Sequence, residues 1–118
     1  MTERFGRDLI RGSLDLMVLS VLAGGSQYGY SIQKRIRAAS GDRVSLPAGT
    51  LYPLLHKLEE DKLIRSRWDN EGGRRRKWYD LTAKGKRKLT EQAKEWTSYA
   101  ECLGRLLGPV LGGVEARG

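Results

Sequence analysis

A mainly α-helical fold with one small β-hairpin is what the sequence predicts, and three observations predict it. Three apolar-striped segments follow one another before residue 64. The spacing of apolar positions then changes from helical to alternating, on either side of a glycine turn. Finally, a run with heptad-like spacing occupies the last third of the chain.

The elements follow in order. From Leu9 to Leu22, Leu9, Ile10, Leu14, Leu16, Met17, Val18, Leu19, Val21 and Leu22 are dense enough for a helix buried on most sides, stopped by Gly24-Gly25. A shorter helix follows in "SQYGYSIQKRIRAASGD", with Ile32, Ile36 and Ala39 as its buried stripe. Lys34, Arg35 and Arg37 lie off that stripe, and Gly41-Asp42 supplies a turn. The third helix, 47–61, carries Leu51, Leu54, Leu55 and Leu58 on one face. If Thr50 is its N-cap, Pro53 falls in the first turn, where its missing N–H costs nothing. Beyond Leu63, Ile64, Ser66 and Trp68 alternate with Arg65 and Arg67, and Lys77, Tyr79 and Leu81 alternate with Trp78 and Asp80. Asn70-Glu71-Gly72-Gly73 joins these two strands into a hairpin. Thr82 is a good N-cap for a helix from about Ala83 to about Leu107, which Gly108-Pro109 should end, leaving a frayed "GGVEARG". Three helices, a hairpin and a further helix describe a winged helix-turn-helix with a C-terminal extension.

Composition narrows the function. One cysteine and one histidine leave too few ligands for a zinc cluster, and no metal or cofactor is expected. No convincing nucleophile or acid–base pair is present, so an enzyme is not expected. No apolar run reaches membrane-spanning length, and the N-terminus lacks the pattern of a signal peptide, so a cytoplasmic protein without membrane contact is expected. The net charge is +8, and its placement matters more than its size. Residues 1–64 contribute +2, residues 65–88 contribute +7 and residues 89–118 contribute −1. Concentrating the excess on the hairpin and the start of the last helix fits a surface that touches a polyanion. A merely solvated basic surface is the alternative.

With its leucines turned to the core, helix 47–61 shows Tyr52, Pro53, His56, Lys57 and Glu60 on the opposite side. In a helix-turn-helix, that end of the second helix lies nearest the bases. Thr50, Tyr52 and His56 can hydrogen-bond bases or phosphates, Lys57 suits a phosphate, and Gly49 removes a side chain where a backbone would approach. The hairpin places Arg74, Arg75, Arg76 and Lys77 together, for a minor groove or for phosphates. Lys84, Lys86, Arg87 and Lys88 oppose the dipole of the helix they open, so a partner explains them best.

Leu89, Ala93, Trp96, Ala100, Leu103 and Leu107 recur at spacings of 4, 3, 4, 3 and 4. Such a seam on a 25-residue helix predicts a homodimer through that helix, which would present two recognition helices to a palindromic operator. Trp96 between small residues could border an apolar cavity for an aromatic small-molecule effector, although tryptophan at helical spacing more often serves a core. Cys102, beside the seam, is expected to be a buried, inert thiol.

"GSLDLMVLSVL", "YGYSIQKRI", "GTLYPLLHKLEEDKLI" and "RRRKWYDLTAKGK" resemble, in order and spacing, the PadR family of bacterial transcriptional regulators, in its short form with one C-terminal dimerisation helix. The resemblance covers roughly residues 9–88. It implies a homodimeric repressor of double-stranded DNA, with residues 1–81 as the DNA-binding unit and 82–118 as the dimerisation helix and tail. Gly49, Thr50 and Tyr52 fall in the family's recognition helix, Arg74, Arg75 and Arg76 on its wing, and Tyr28 and Tyr30 where the second helix meets the DNA backbone; Lys34, off the buried stripe of that helix, is a further DNA-binding candidate. Planar aromatic ligands between the C-terminal helices of some relatives are similar to the reading of Trp96. A winged-helix module that binds protein or RNA without reading bases is the alternative.

Overall fold

A computed structural model describes residues 3–115. Helices α1 (Arg7–Ile10), α2 (Leu14–Ala23), α3 (Gly29–Ala39), α4 (Ala48–Glu60) and α5 (Ala83–Glu115) enclose a three-stranded antiparallel sheet of β1 (Gln27–Tyr28), β2 (Ile64–Asp69) and β3 (Arg76–Leu81). β3 is central: Gln27 pairs with Tyr79 on one side, and Ile64 to Asp69 pair with Leu81 to Arg76 on the other. The core unites Val18, Leu19 and Leu22 of α2, Ile32 and Ile36 of α3, Leu51, Leu55 and Leu58 of α4, and Ile64 and Tyr79 of the hairpin. This is the winged helix-turn-helix that the element order predicts. No helix among the described residues is long and apolar enough to cross a membrane.

Several local readings are corrected. The first apolar segment is not one helix: a single 3₁₀ turn over Arg11–Ser13 separates α1 from α2. Gly12 weakens the helix there, and the Ser13 hydroxyl donates back to the Ile10 carbonyl at 3.0 Å. Leu9, on the detached turn, is 67% exposed. Ala39 is exposed too, because α3 turns away from the core at its last turn. β1 had no sequence signal, since two residues cannot display an alternation. It is held because Gln27 is buried and its Oε1 accepts from the Ser31 hydroxyl and, at 3.1 Å, from Arg35 Nε.

α4 begins at Ala48, three residues earlier than a Thr50 cap would allow. Pro47, in extended conformation, precedes it, and the amides of Thr50 and Leu51 both donate to the Pro47 carbonyl at 2.9 Å. Buried Val44 and Leu46 anchor the approach to this start. Ser40 Oγ accepts the Val44 amide at 2.9 Å, and Gln33 Nε2 donates to the Leu46 carbonyl at 2.8 Å. Pro53 therefore sits in the second turn, with no N–H to donate to the Gly49 carbonyl.

The hairpin turns through Gly72 and Gly73, both at positive φ (69° and 74°), a region that glycine enters without steric cost. Thr82 caps α5 as expected: its hydroxyl accepts the Gly85 amide at 3.0 Å and donates to the Lys62 carbonyl at 2.7 Å. A Cβ on Gly85 would lie 2.0 Å from the Leu63 carbonyl oxygen, so glycine lets α5 start directly against the end of α4. α5 does not stop at Gly108-Pro109. Proline's fixed φ is itself helical, so the chain forgoes one bond to the Arg105 carbonyl and continues to Glu115. Residues 112–115 of the expected tail are thus helical, and residues 116–118 lie outside the described residues.

Candidate nucleic-acid interface

The start of α3, the exposed side of α4 and the inner edge of the wing converge on one open groove. It has a volume of about 480 Å³ and is lined by Tyr28, Gly29, Tyr30, Tyr52, Trp68, Arg76, Lys77 and Tyr79. The sequence leads to this convergence directly. Burying Leu51, Leu55 and Leu58 turns Gly49, Thr50, Tyr52, Pro53, His56 and Lys57 outward, and all six are exposed. His56 Nδ1 lies 3.6 Å from Glu60 Oε1 one turn on. Thr50 stands beside a second groove, of about 490 Å³, to which the N-terminal segment contributes Arg4, Arg7 and Arg11.

Candidate residues pair with one another, within α3 and across the sheet. The Lys34 ammonium lies 5.6 Å from the Tyr30 ring centre, and the Arg76 guanidinium 4.8 Å from that of Tyr28. Tyr28 in turn meets Trp78 edge to face at 5.2 Å. These contacts hold cations over aromatic faces and restrict the rotamers available to long side chains.

The four wing cations are not equivalent. Arg74 and Arg75 are exposed at the tip, and Arg75 stacks on Trp68 at 4.3 Å. Arg76 and Lys77 are half-buried, and Lys77 Nζ reaches Glu59 Oε1 at 3.9 Å. Glu59 also accepts the Ser66 hydroxyl, tying the wing to α4. Of the cations that open α5, Lys84 has an internal duty: its ammonium donates to the Asp61 carbonyl at 2.9 Å, where the α4 dipole is negative. Lys86, Arg87 and Lys88 are exposed.

Tyr79, beneath the groove, has its pKa raised above the ordinary tyrosine value, first by burial and then by the nearby Glu59 and Tyr52. Its phenol is thus held neutral as a packed floor. Trp68 and Gly29 line the groove but carried no functional signal in the sequence. Trp68 looked like one more alternating strand residue, yet its pairing with Lys77 places it at the groove mouth, 55% exposed.

The second region is α5. Leu89 packs against the core of its own chain, whereas Ala93, Trp96, Ala100, Leu103 and Leu107 are exposed. Tyr99, Leu106, Val110 and Leu111 widen this uncovered apolar stripe. Trp96 stacks on Tyr99, with ring centres 5.4 Å apart and planes 10° from parallel. Cys102 is exposed rather than buried, because no other element among the described residues covers this half of α5.

Residues 18–91 match the family described as "Transcriptional regulator PadR-like family". The chain belongs to the PadR-like family. The transcriptional regulator Rv3488 of Mycobacterium tuberculosis is 35% identical over 107 residues, which are 91% of each protein. Among solved structures, a PadR family transcriptional regulator from Eggerthella lenta matches with TM-score 0.75 and 40% identity, covering 85% of this chain and 86% of that one. A transcriptional regulator from Clostridium thermocellum matches with TM-score 0.78 and 32% identity, over 83% and 96% of the two chains. This PadR-like protein is therefore a DNA-binding transcriptional regulator and not an enzyme.

Proposed function

We propose that this PadR-like protein represses transcription as a homodimer on a palindromic operator, with α4 in the major groove and the wing on the minor groove or backbone. The observation that carries this reading is the convergence of α3, α4 and the wing on one basic, aromatic-lined groove. Gly49, Thr50, Tyr52, Pro53, His56 and Lys57 supply the reading end. No described side chain caps α4, so its first amides favour a phosphate, while Lys57, in the last turn of the helix, suits a separate one. Tyr28, Tyr30 and Lys34 contact the flanking backbone, and Arg74, Arg75, Arg76 and Lys77 hold the wing to the duplex.

The uncovered stripe of α5 supports the dimer. Ala93, Trp96, Ala100, Leu103 and Leu107 form a seam whose burial against a second copy removes the apolar surface that α5 otherwise leaves in water. An apolar or aromatic effector would enter between the paired helices beside Trp96. The support is the exposed Trp96–Tyr99 stack, a flat surface that a planar ring can extend.

The test is titration of the protein with a palindromic duplex from its own upstream region and with a scrambled duplex of equal length. The operator should bind at least about 1,000-fold more tightly. Equal affinity for both would leave only a basic module that does not read sequence.

A further inference from the structure

Gly29 is the first residue of α3, and it is buried. Its backbone is not the reason for glycine: it is absent from the glycines at positive φ, which are Gly25, Gly41, Gly72 and Gly73. What glycine supplies is space. A Cβ built at Gly29 would stand 2.2 Å from the Tyr52 hydroxyl oxygen, 2.7 Å from Cζ and 2.8 Å from Cε1. The hydroxyl end of the Tyr52 phenol therefore lies against the bare backbone of α3's first residue. Even so, Tyr52 is 46% exposed, so one side of the ring is seated while the other faces the groove.

We propose that Gly29 is a positioning residue for DNA reading: its missing side chain forms the slot that fixes where Tyr52 meets the bases. This rests on the reading of Tyr52 as a base contact. A tyrosine on an exposed helix face ordinarily samples several rotamers. Seated against α3, this one is limited to the pose that the slot admits, and the ordering is complete before DNA arrives. Preorganisation of that kind favours the duplex whose bases suit the pose. An alanine methyl in the slot needs carbon–oxygen separations beyond 3 Å, so it drives the phenol outward by about 1 Å or more. The ring end of a side chain can make that move while the helix stays, so the damage falls on recognition.

The experiment is a four-member cycle of wild type, Gly29→Ala, Tyr52→Ala and the double variant. Each is titrated with the operator and a scrambled duplex, and each is unfolded in urea without DNA. Gly29→Ala should lower the operator-to-scrambled affinity ratio by about tenfold. The double variant should match Tyr52→Ala alone, because the slot has nothing left to hold. If Gly29→Ala is instead badly destabilised, the proposal requires the double variant to recover the urea midpoint of Tyr52→Ala. An unchanged ratio in Gly29→Ala, additive losses in the double variant, or a double variant that stays unfolded would each overturn the slot. A wild-type protein that does not discriminate the two duplexes would overturn the reading role of Tyr52 itself, and the urea arm would still report the contact.

Discussion

Removing both exposed wing arginines, Arg74→Ala with Arg75→Ala, tests most sharply the proposal that the wing holds DNA. Four cations cluster there, but the structure divides them. Arg74 forms no ion pair with a described residue, and Arg75 offers its free guanidinium edge while its face rests on Trp68. Arg76 and Lys77 are half-buried, leaning on Tyr28 and Glu59. Each phosphate neutralised adds about 0.9 to the slope of log affinity against log salt. Two arginines on each of two wings should thus account for a slope of about 3.6. Over a fourfold rise in salt, the wild type should lose about 100-fold more affinity than the variant. Fluorescence anisotropy with a labelled operator at several salt concentrations reads this directly. The pair Arg76→Ala with Lys77→Ala should change the slope less. An unchanged slope in the first variant removes the tip from the interface, and an equal change in the two pairs refutes the division by burial.

Three further outcomes are expected. Leu103→Glu puts a charge in the centre of the α5 stripe and should give monomers in analytical ultracentrifugation; a persistent dimer would place the seam elsewhere. Gly85→Ala gains roughly 1 kcal/mol of helix propensity but drives a methyl to 2.0 Å from a backbone carbonyl that cannot step aside, so urea unfolding should show a net loss of about 1–3 kcal/mol. A neutral result would mean that the junction relaxes freely. Thr82→Ala removes the α5 cap and the bond to the Lys62 carbonyl, costing about 1–2 kcal/mol, whereas Thr82→Ser should recover most of it.

What the sequence discloses is set by the range of the forces involved. The leucine face of α4 is a local pattern, and it alone determines which residues turn outward. The wing is legible because alternation and paired glycines are local as well. Local rules mislead where packing overrides propensity. Pro53 argues for a later helix start, yet buried Val44 and Leu46 bring the chain in three residues earlier. Pro109 argued for a stop, yet its φ is compatible with continuing. The unequal burial of Arg74, Arg75, Arg76 and Lys77 depends on Trp68, Tyr28 and Glu59, which register and tertiary fold bring near. The fit of Gly29 to Tyr52 joins residues of two helices, and no periodicity reveals it.

The junction of α4 and α5 has a mechanical consequence. Three attachments converge there: Thr82 on the Lys62 and Leu63 carbonyls, Lys84 on the Asp61 carbonyl, and Gly85 flush against Leu63. These attachments couple the end of α4 closely to the start of α5. α5 has 33 residues and is therefore about 50 Å long. In the proposed dimer, a tilt on the order of 5° about its midpoint displaces the reading end by about 2 Å. Half-sites one helical turn apart would lie about 34 Å from each other, and a shift of that size on each side would spoil simultaneous engagement of both. In that dimer, a molecule wedged beside Trp96 would not need to reach the DNA-binding surface to release DNA. Prying the long helices of the proposed dimer a few degrees apart would be enough, because the junction leaves little slack to absorb the angle.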